Sequence, residues 1–181
     1  MGDMSGAKEL FLQSMEIRKE LAVSGEPKAR RDLSVIYDLL GALCKDMGDF
    51  TEAKTWYMLE LEIDEILAES GAASDRRDLS ISCNRMGDLC MAEQDFSGAR
   101  SWYTKALEIR QVLAEECGTE RAQRDLTYTR SKLNAVNLEE AKQAAMAKQQ
   151  NQQNSEDPTG EVDPPKKRKI FYRLNALFDK D

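Results

Sequence analysis

Apolar residues recur three and four positions apart through most of the chain. Leu33, Tyr37, Leu40, Cys44 and Met47 trace one face of a helix. Ala53, Trp56, Tyr57, Ile63 and Leu67 form a second such face, and Gly48-Asp49 between the two sets marks a tight turn. A turn this short predicts an antiparallel helical pair. The same arrangement recurs with Leu79, Cys83, Met86 and Cys90, then Gln94-Asp95, then Ala99, Trp102, Tyr103, Ala106 and Leu113. Asp49 and Asp95 suit the N-cap positions of the second helices. Ser24-Gly25, Ser70-Gly71 and Cys117-Gly118 punctuate the ends of the pairs, where glycine accepts the left-handed conformation that stops a helix. Pro27 fits the first turn of the helix it opens, and Ser74 and Thr119 are the expected caps of its copies.

The pairs are copies of one another at a spacing of 46 residues. Arg31-Asp32-Leu33-Ser34 recurs as Arg77-Asp78-Leu79-Ser80 and, one residue late, as Arg124-Asp125-Leu126-Thr127. Ala53 to Tyr57 recurs as Ala99 to Tyr103, and Gly48-Asp49-Phe50 matches both Gln94-Asp95-Phe96 and Gly2-Asp3-Met4. The chain therefore reads as the second half of one unit, two full units, and the first half of another. A repeat of this length is one supersecondary piece that buries its apolar face only against neighbours. An all-α solenoid of stacked helical pairs is expected.

The last copy departs from the pattern. Asn134 stands where Gly41 and Gly87 stand, no turn comes after it, and good helix formers continue from Leu138 to Lys148. One long helix is predicted from about Glu120 to about Gln149, capping the stack. The expected organisation is a helical repeat domain over 1–149, a Gln/Asn/Pro/acid-rich disordered linker over 150–165, and a basic amphipathic segment over 166–181. In that segment Lys166, Lys167, Arg168 and Lys169 precede Ile170, Phe171, Leu174, Leu177 and Phe178 at helical spacing. It has three functional readings: docking into a hydrophobic groove of this protein or a partner, a membrane-surface helix, or a nuclear import signal. A solubilising basic end is the plain alternative.

Leu40-Gly41, Cys44, Ala53 and Tyr57, and again Met86-Gly87, Cys90, Ala99, Tyr103 and Ala106, resemble the tetratricopeptide repeat. Ala106 to Arg110 is similar to the longer-helix repeats of kinesin light chains and of bacterial multi-repeat proteins. The unit exceeds the family's usual 34 residues, and Glu60 replaces the small residue that Ala106 supplies. The resemblance implies an all-α, right-handed α–α superhelix with a concave groove lined by the first helix of each unit. Its positions would be Val35, Asp38, Ala42 and Lys45, then Ile81, Asn84, Asp88 and Met91, then Tyr128, Ser131, Ala135 and Leu138, with Arg85 and Lys132 beside them. Co-chaperone relatives hold a peptide's terminal carboxylate with cations and amides. Asp38 and Asp88 would repel one here, so a chaperone C-terminus is not the expected ligand.

Composition narrows the functions. The net charge of −7 argues against a nucleic-acid binder, which needs a basic footprint. The chain has no histidine, so the common nucleophile–base pairs are missing, and Cys44, Cys83, Cys90 and Cys117 lack metal-ligand spacing. No metal, cofactor or catalytic residue is expected, and the cysteines read as reduced thiols. With no signal peptide at Met1 and no membrane span, a cytoplasmic setting is expected, or a nuclear one in a eukaryotic cell if Lys166 to Lys169 act as an import signal. The Arg31-Asp32 copies are expected to pair between units, and Trp56-Tyr57 and Trp102-Tyr103 to pack in the core.

The expected function is a non-enzymatic protein-interaction scaffold that holds a peptide or helix along the concave face. The alternative is an adaptor whose tail carries targeting or docking while the repeats support it. The first helix lacks the partner that its copies have. Leu10, Phe11, Met15 and Ile17 are therefore expected to be partly uncovered, and this end is expected to self-associate, to seat the C-terminal helix, or to be a cut from a longer chain.

Overall fold

The computed structural model describes residues 3–156. Those residues form six helices and no strand: α1 (Met4–Ala22), α2 (Pro27–Asp46), α3 (Phe50–Ala68), α4 (Ala73–Ala92), α5 (Phe96–Cys117) and α6 (Glu120–Glu156). The 46-residue period becomes a spatial one. Helices α2 and α3 make the first full unit and α4 and α5 the second, preceded by α1 and succeeded by α6. The architecture is an α–α superhelical solenoid. The contacts divide the chain into two compact bodies, Met1–Gln143 and Ala144–Asp181. The repeats belong wholly to the first.

Local chemistry explains the helix ends. Asp3, Asp49 and Asp95 are N-caps, each carboxylate accepting from the backbone N–H three residues on, at 2.8 to 2.9 Å. Pro27 opens α2. Gly25, Gly48, Gly71 and Gly118 all have φ between 60° and 83°, as the turns require. Gln94 takes the same left-handed conformation (φ 61°) where its copy is Gly48. Thr119 caps α6 by accepting from Ala122 N at 3.2 Å. Ser74 is not the cap of α4. The chain already enters that helix at Ala73, Ala72 is the N-cap, and no side chain caps it. Ser70 instead steadies the turn by accepting from Ala72 N at 3.2 Å.

The core runs through the units as contiguous clusters. Met15, Leu33, Ile36, Tyr37 and Leu40 pack together with Phe11 and Trp56 against them, and the Tyr37 and Trp56 rings stack with centroids 5.7 Å apart. Cys44, Ala53, Tyr57, Met86 and Leu89 join the two full units, and Cys90, Ala99, Tyr103 and Val136 join the second to α6. Trp102 is half-buried and touches three of the four clusters, so it packs as expected and does not face open water. Cys44, Cys83 and Cys90 are buried thiols, and Cys117 is exposed.

On α1, Met15 is buried and Phe11 half-buried, while Leu10 is 66% exposed and Ile17 62%. Helix α6 runs to Glu156, past the expected stop near Gln149, so the opening residues of the expected linker (150–156) are helical. The rest of that linker and the whole tail, including Lys166 to Lys169, Ile170, Phe171, Leu174, Leu177 and Phe178, lie outside the described residues. No described helix is long and apolar enough to cross a membrane.

Candidate functional site

The sequence places its groove residues on α2, α4 and α6, and ion pairs hold these helices side by side. At the helix starts, Arg31 of α2 pairs with Asp75 and, at 3.9 Å, with Asp78 of α4. Arg77 of α4 pairs with Asp125 of α6 at 2.6 Å. The Arg-Asp copies thus form an inter-unit ladder, as expected of them. Further along, Arg85 Nε lies 2.8 Å from Asp38 Oδ1, and its Nη2 donates to Oδ2 at 3.1 Å. Lys132 Nζ donates to Asp88 at 2.8 Å, and the Tyr103 hydroxyl donates to the same carboxylate at 2.5 Å. The two acids expected to repel a ligand carboxylate are therefore neutralised by cations from the next unit.

The candidate groove residues divide by exposure. Val35 (54%), Tyr128 (49%) and Leu138 (55%) are exposed, as are Ser131 and Ala135. Asp38, Ala42, Lys45, Ile81, Arg85, Asp88, Met91 and Lys132 are half-buried. Lys132 Nζ lies 5.3 Å from the centroid of the Tyr128 ring, a cation–π contact that holds the ring at the surface. Asn84 is buried. With its amide oxygen toward α5 it accepts from both terminal nitrogens of Arg110 at 3.0 Å, so it offers no polar edge to a ligand on this face.

Beneath the face lie charged groups whose burial sequence reasoning missed. Glu60 and Asp64 of α3 are each 4% exposed. Ser34 Oγ donates to Asp64 Oδ1 at 2.7 Å, Ser82 bonds Asp64 Oδ2, and Ser82 Oγ also lies 3.1 Å from Glu60 Oε1. Glu60 Oε2 has no partner. Burial, then the charges of Asp38 and Asp64, push the Glu60 carboxyl up to about 9, against the opposing pull of Ser82 and Arg85. Burial also raises Asp64. Glu60 is thus a neutral acid at pH 7. Ser82 has one proton to give, so protonated Glu60 donates to Ser82 while Ser82 donates to Asp64.

The next unit has Ala106 for Glu60 and Arg110 for Asp64. Arg110 is 4% exposed, and its Nε donates to Ser80 at 2.9 Å. Its Nη1 donates to Thr129 Oγ1 at 2.5 Å and to the Asp125 carbonyl at 2.8 Å. One signal for these groups was in the sequence: the departure of Glu60 from the small residue at its repeat position. Among the described residues, no group of three or more His, Cys, Asp or Glu could hold a metal ion.

Comparison with known proteins agrees with the repeat architecture. The sequence model of the tetratricopeptide repeat matches residues 35–66 and 81–112. These segments, which fall across α2–α3 and α4–α5, are tetratricopeptide repeats, and a stack of such repeats is a protein–protein interaction scaffold. Among solved structures, the chain is similar to the crystal structure of BtubC (BKLC) from P. vanneervenii, with a TM-score of 0.58 and 21% sequence identity. The match covers 98% of this chain and 65% of that one, and at this identity it speaks to fold alone. No curated protein matches the sequence.

Proposed function

We propose that the α2–α4–α6 face is the concave recognition surface and binds an extended peptide or a helix of a partner protein. The observation that carries this reading is the pairing of Asp38 with Arg85 and of Asp88 with Lys132. These pairs neutralise Asp38 and Asp88, so what the face presents beside Lys45 and Ser131 is apolar: Val35, Ile81, Met91, Tyr128 and Leu138, together with Leu39, which is 40% exposed. A partner would anchor through apolar side chains at helical or extended spacing, with the rim charges setting register. Of the groove cations, Arg85 and Lys132 are already paired, which leaves a terminal carboxylate only Lys45. BtubC supports the fold of this reading and not its ligand.

The test replaces exposed anchors only. Val35→Ser with Tyr128→Ala should weaken capture of protein partners about tenfold or more, with the circular dichroism spectrum unchanged. Leu10→Ser, on α1, should leave capture intact. An undiminished set of captured proteins in the double variant would overturn the assignment.

A further inference from the structure

A cavity of about 200 Å³ opens between the start of α4, the end of α5 and the start of α6. Its walls carry Arg77, Arg110 and Arg121, with Asp125 the one carboxylate among the lining residues. None of the four belongs to the proposed recognition face. We infer that this cavity is a binding site for a phosphate-class oxyanion, either free or carried on a side chain of a partner.

The charge balance favours an anion. Asp125 is engaged by Arg77, whose Nε donates to it at 2.6 Å. Arg110 is buried, and all its hydrogen bonds go to neutral acceptors: Ser80, Thr129, the Asp125 carbonyl and the Asn84 amide. Burial lowers its pKa, but a guanidinium stays charged in proteins. Arg121 is exposed and makes no hydrogen bond or ion pair among the described residues. Two other acids lie close and are already engaged: Asp78, which feels both Arg77 and Arg121, lies 3.9 Å from Arg31, and Asp75, 3.4 Å from Ser74 Oγ, is paired with Arg31 and accepts from Ser70. Arg110 and Arg121 thus share the cavity with no carboxylate hydrogen-bonded to either, although Asp125 and Asp78 act on them at longer range. A phosphate monoester carries roughly −1.5 to −2 at neutral pH and three strong acceptor oxygens, which matches that excess. A carboxylate would balance only half of it.

The backbone adds donors. Ala73 and Ser74 line the cavity and are the first two residues of α4, a helix with no side-chain cap. Its uncapped N–H groups and positive dipole end lie at the wall. Ser74 and Thr119 line it too, and both residues are exposed, so the cavity reaches solvent. A water takes about 30 Å³ of liquid volume, so the space holds several waters or one tetrahedral oxyanion.

Comparison between repeats makes the site specific to this place. One unit earlier, the same positions hold Arg31, Asp64, Asp75 and Asp78, with Ser74 in place of Arg121. Arg31 there pairs with Asp75 and Asp78, and Asp64 is held by Ser34 and Ser82, so three carboxylates stand against one guanidinium. Substitution of Asp64 by Arg110, of Asp75 by Ala122 and of Ser74 by Arg121 reverses the charge of an otherwise copied position.

The full chain should be titrated by calorimetry at constant ionic strength with inorganic phosphate, with a short phosphoserine peptide, with that peptide unphosphorylated, and with chloride as control. Saturable binding of phosphate or of the phosphoserine peptide is expected, with none of chloride or the unphosphorylated peptide. Phosphate alone sufficing identifies a free anion; binding of the phosphopeptide with phosphate silent identifies a modified side chain. Arg121→Gln should weaken binding about 10- to 100-fold. Ala122→Asp, which restores the acid of the earlier unit, should abolish it. Arg121 is exposed and unpaired, so its variant keeps the fold and the test decisive even if Ala122→Asp unfolds. Absence of binding by both phosphate species, or equal binding by wild type and Arg121→Gln, overturns the assignment.

Discussion

Two glycines set how closely the paired helices approach. A Cβ on Gly41 would sit 2.5 Å from Tyr57 Cε1, and one on Gly87 would sit 2.5 Å from Tyr103 Cε1. Each ring is 1% exposed and pinned between helices, so it cannot swing clear. Alanine favours a helix over glycine by about 1 kcal/mol, but overpacking a full core typically costs about 1–3 kcal/mol. Gly87→Ala and Gly41→Ala should therefore lower the midpoint of urea unfolding, and a midpoint at or above wild type would show that the tyrosines can retreat. The two tyrosines differ at their hydroxyls. Tyr103 donates to Asp88, whereas the Tyr57 hydroxyl is buried without a partner, because Ala42 stands where Asp88 does. Both glycines were legible in the sequence as one shared position of the two units. The unequal hydroxyls were not, because they depend on which side chain of the adjacent helix lies opposite.

Between elements, the same interface is built twice with opposite charge. Ser34, Asp64 and Ser82 tie α2, α3 and α4; their copies Ser80, Arg110 and Thr129 tie α4, α5 and α6. A buried charge is tolerated only when hydrogen-bonded, and the hydroxyls serve either sign because they both donate and accept. Glu60 adds a second acid to the first copy, and that makes it pH-sensitive. Its folded pKa, about 9, lies above the ordinary carboxylate value of 4.5. Between those values the folded chain holds a proton that the unfolded chain has released, so stability falls as pH rises through that window. Glu60→Gln keeps the shape and removes the titration. It should raise the thermal midpoint at pH 8 to 9, change it little near pH 5, and flatten the pH profile between. A profile parallel to wild type would mean that Glu60 is not the group responsible.

For the molecule as a whole, the compact body ends at Gln143. Stacked repeats gain their stability from neighbouring repeats. From Ala141 to Gln152 every residue is exposed. A chain stopped after Gln143 should therefore keep its helical circular dichroism signal per repeat residue and unfold within a few degrees of the full chain. Collapse of that signal would show that the stack leans on the residues beyond Gln143. The inter-unit ladder contributes less than its length suggests. Partly exposed pairs such as Arg77–Asp125 are each worth about 0–1 kcal/mol, and they set the register of the stack more than its stability.

What the amino-acid sequence determined alone is the periodic part. The 46-residue copy, the three-four apolar spacing, the Asp49 and Asp95 caps and the glycine turns are local or translational features, and each is carried by residues close together in the chain. The tertiary structure decided what lies opposite what. It buried Asn84 away from the face where repeat position had put it. It paired Asp38 with Arg85 and Asp88 with Lys132, and it gathered Arg77, Arg110 and Arg121 around one cavity although they span three helices. The reason is physical. A repeat prescribes which residues face a neighbour, but electrostatics and burial depend on the substitutions that neighbour happens to carry, and these become adjacent only once the units have stacked.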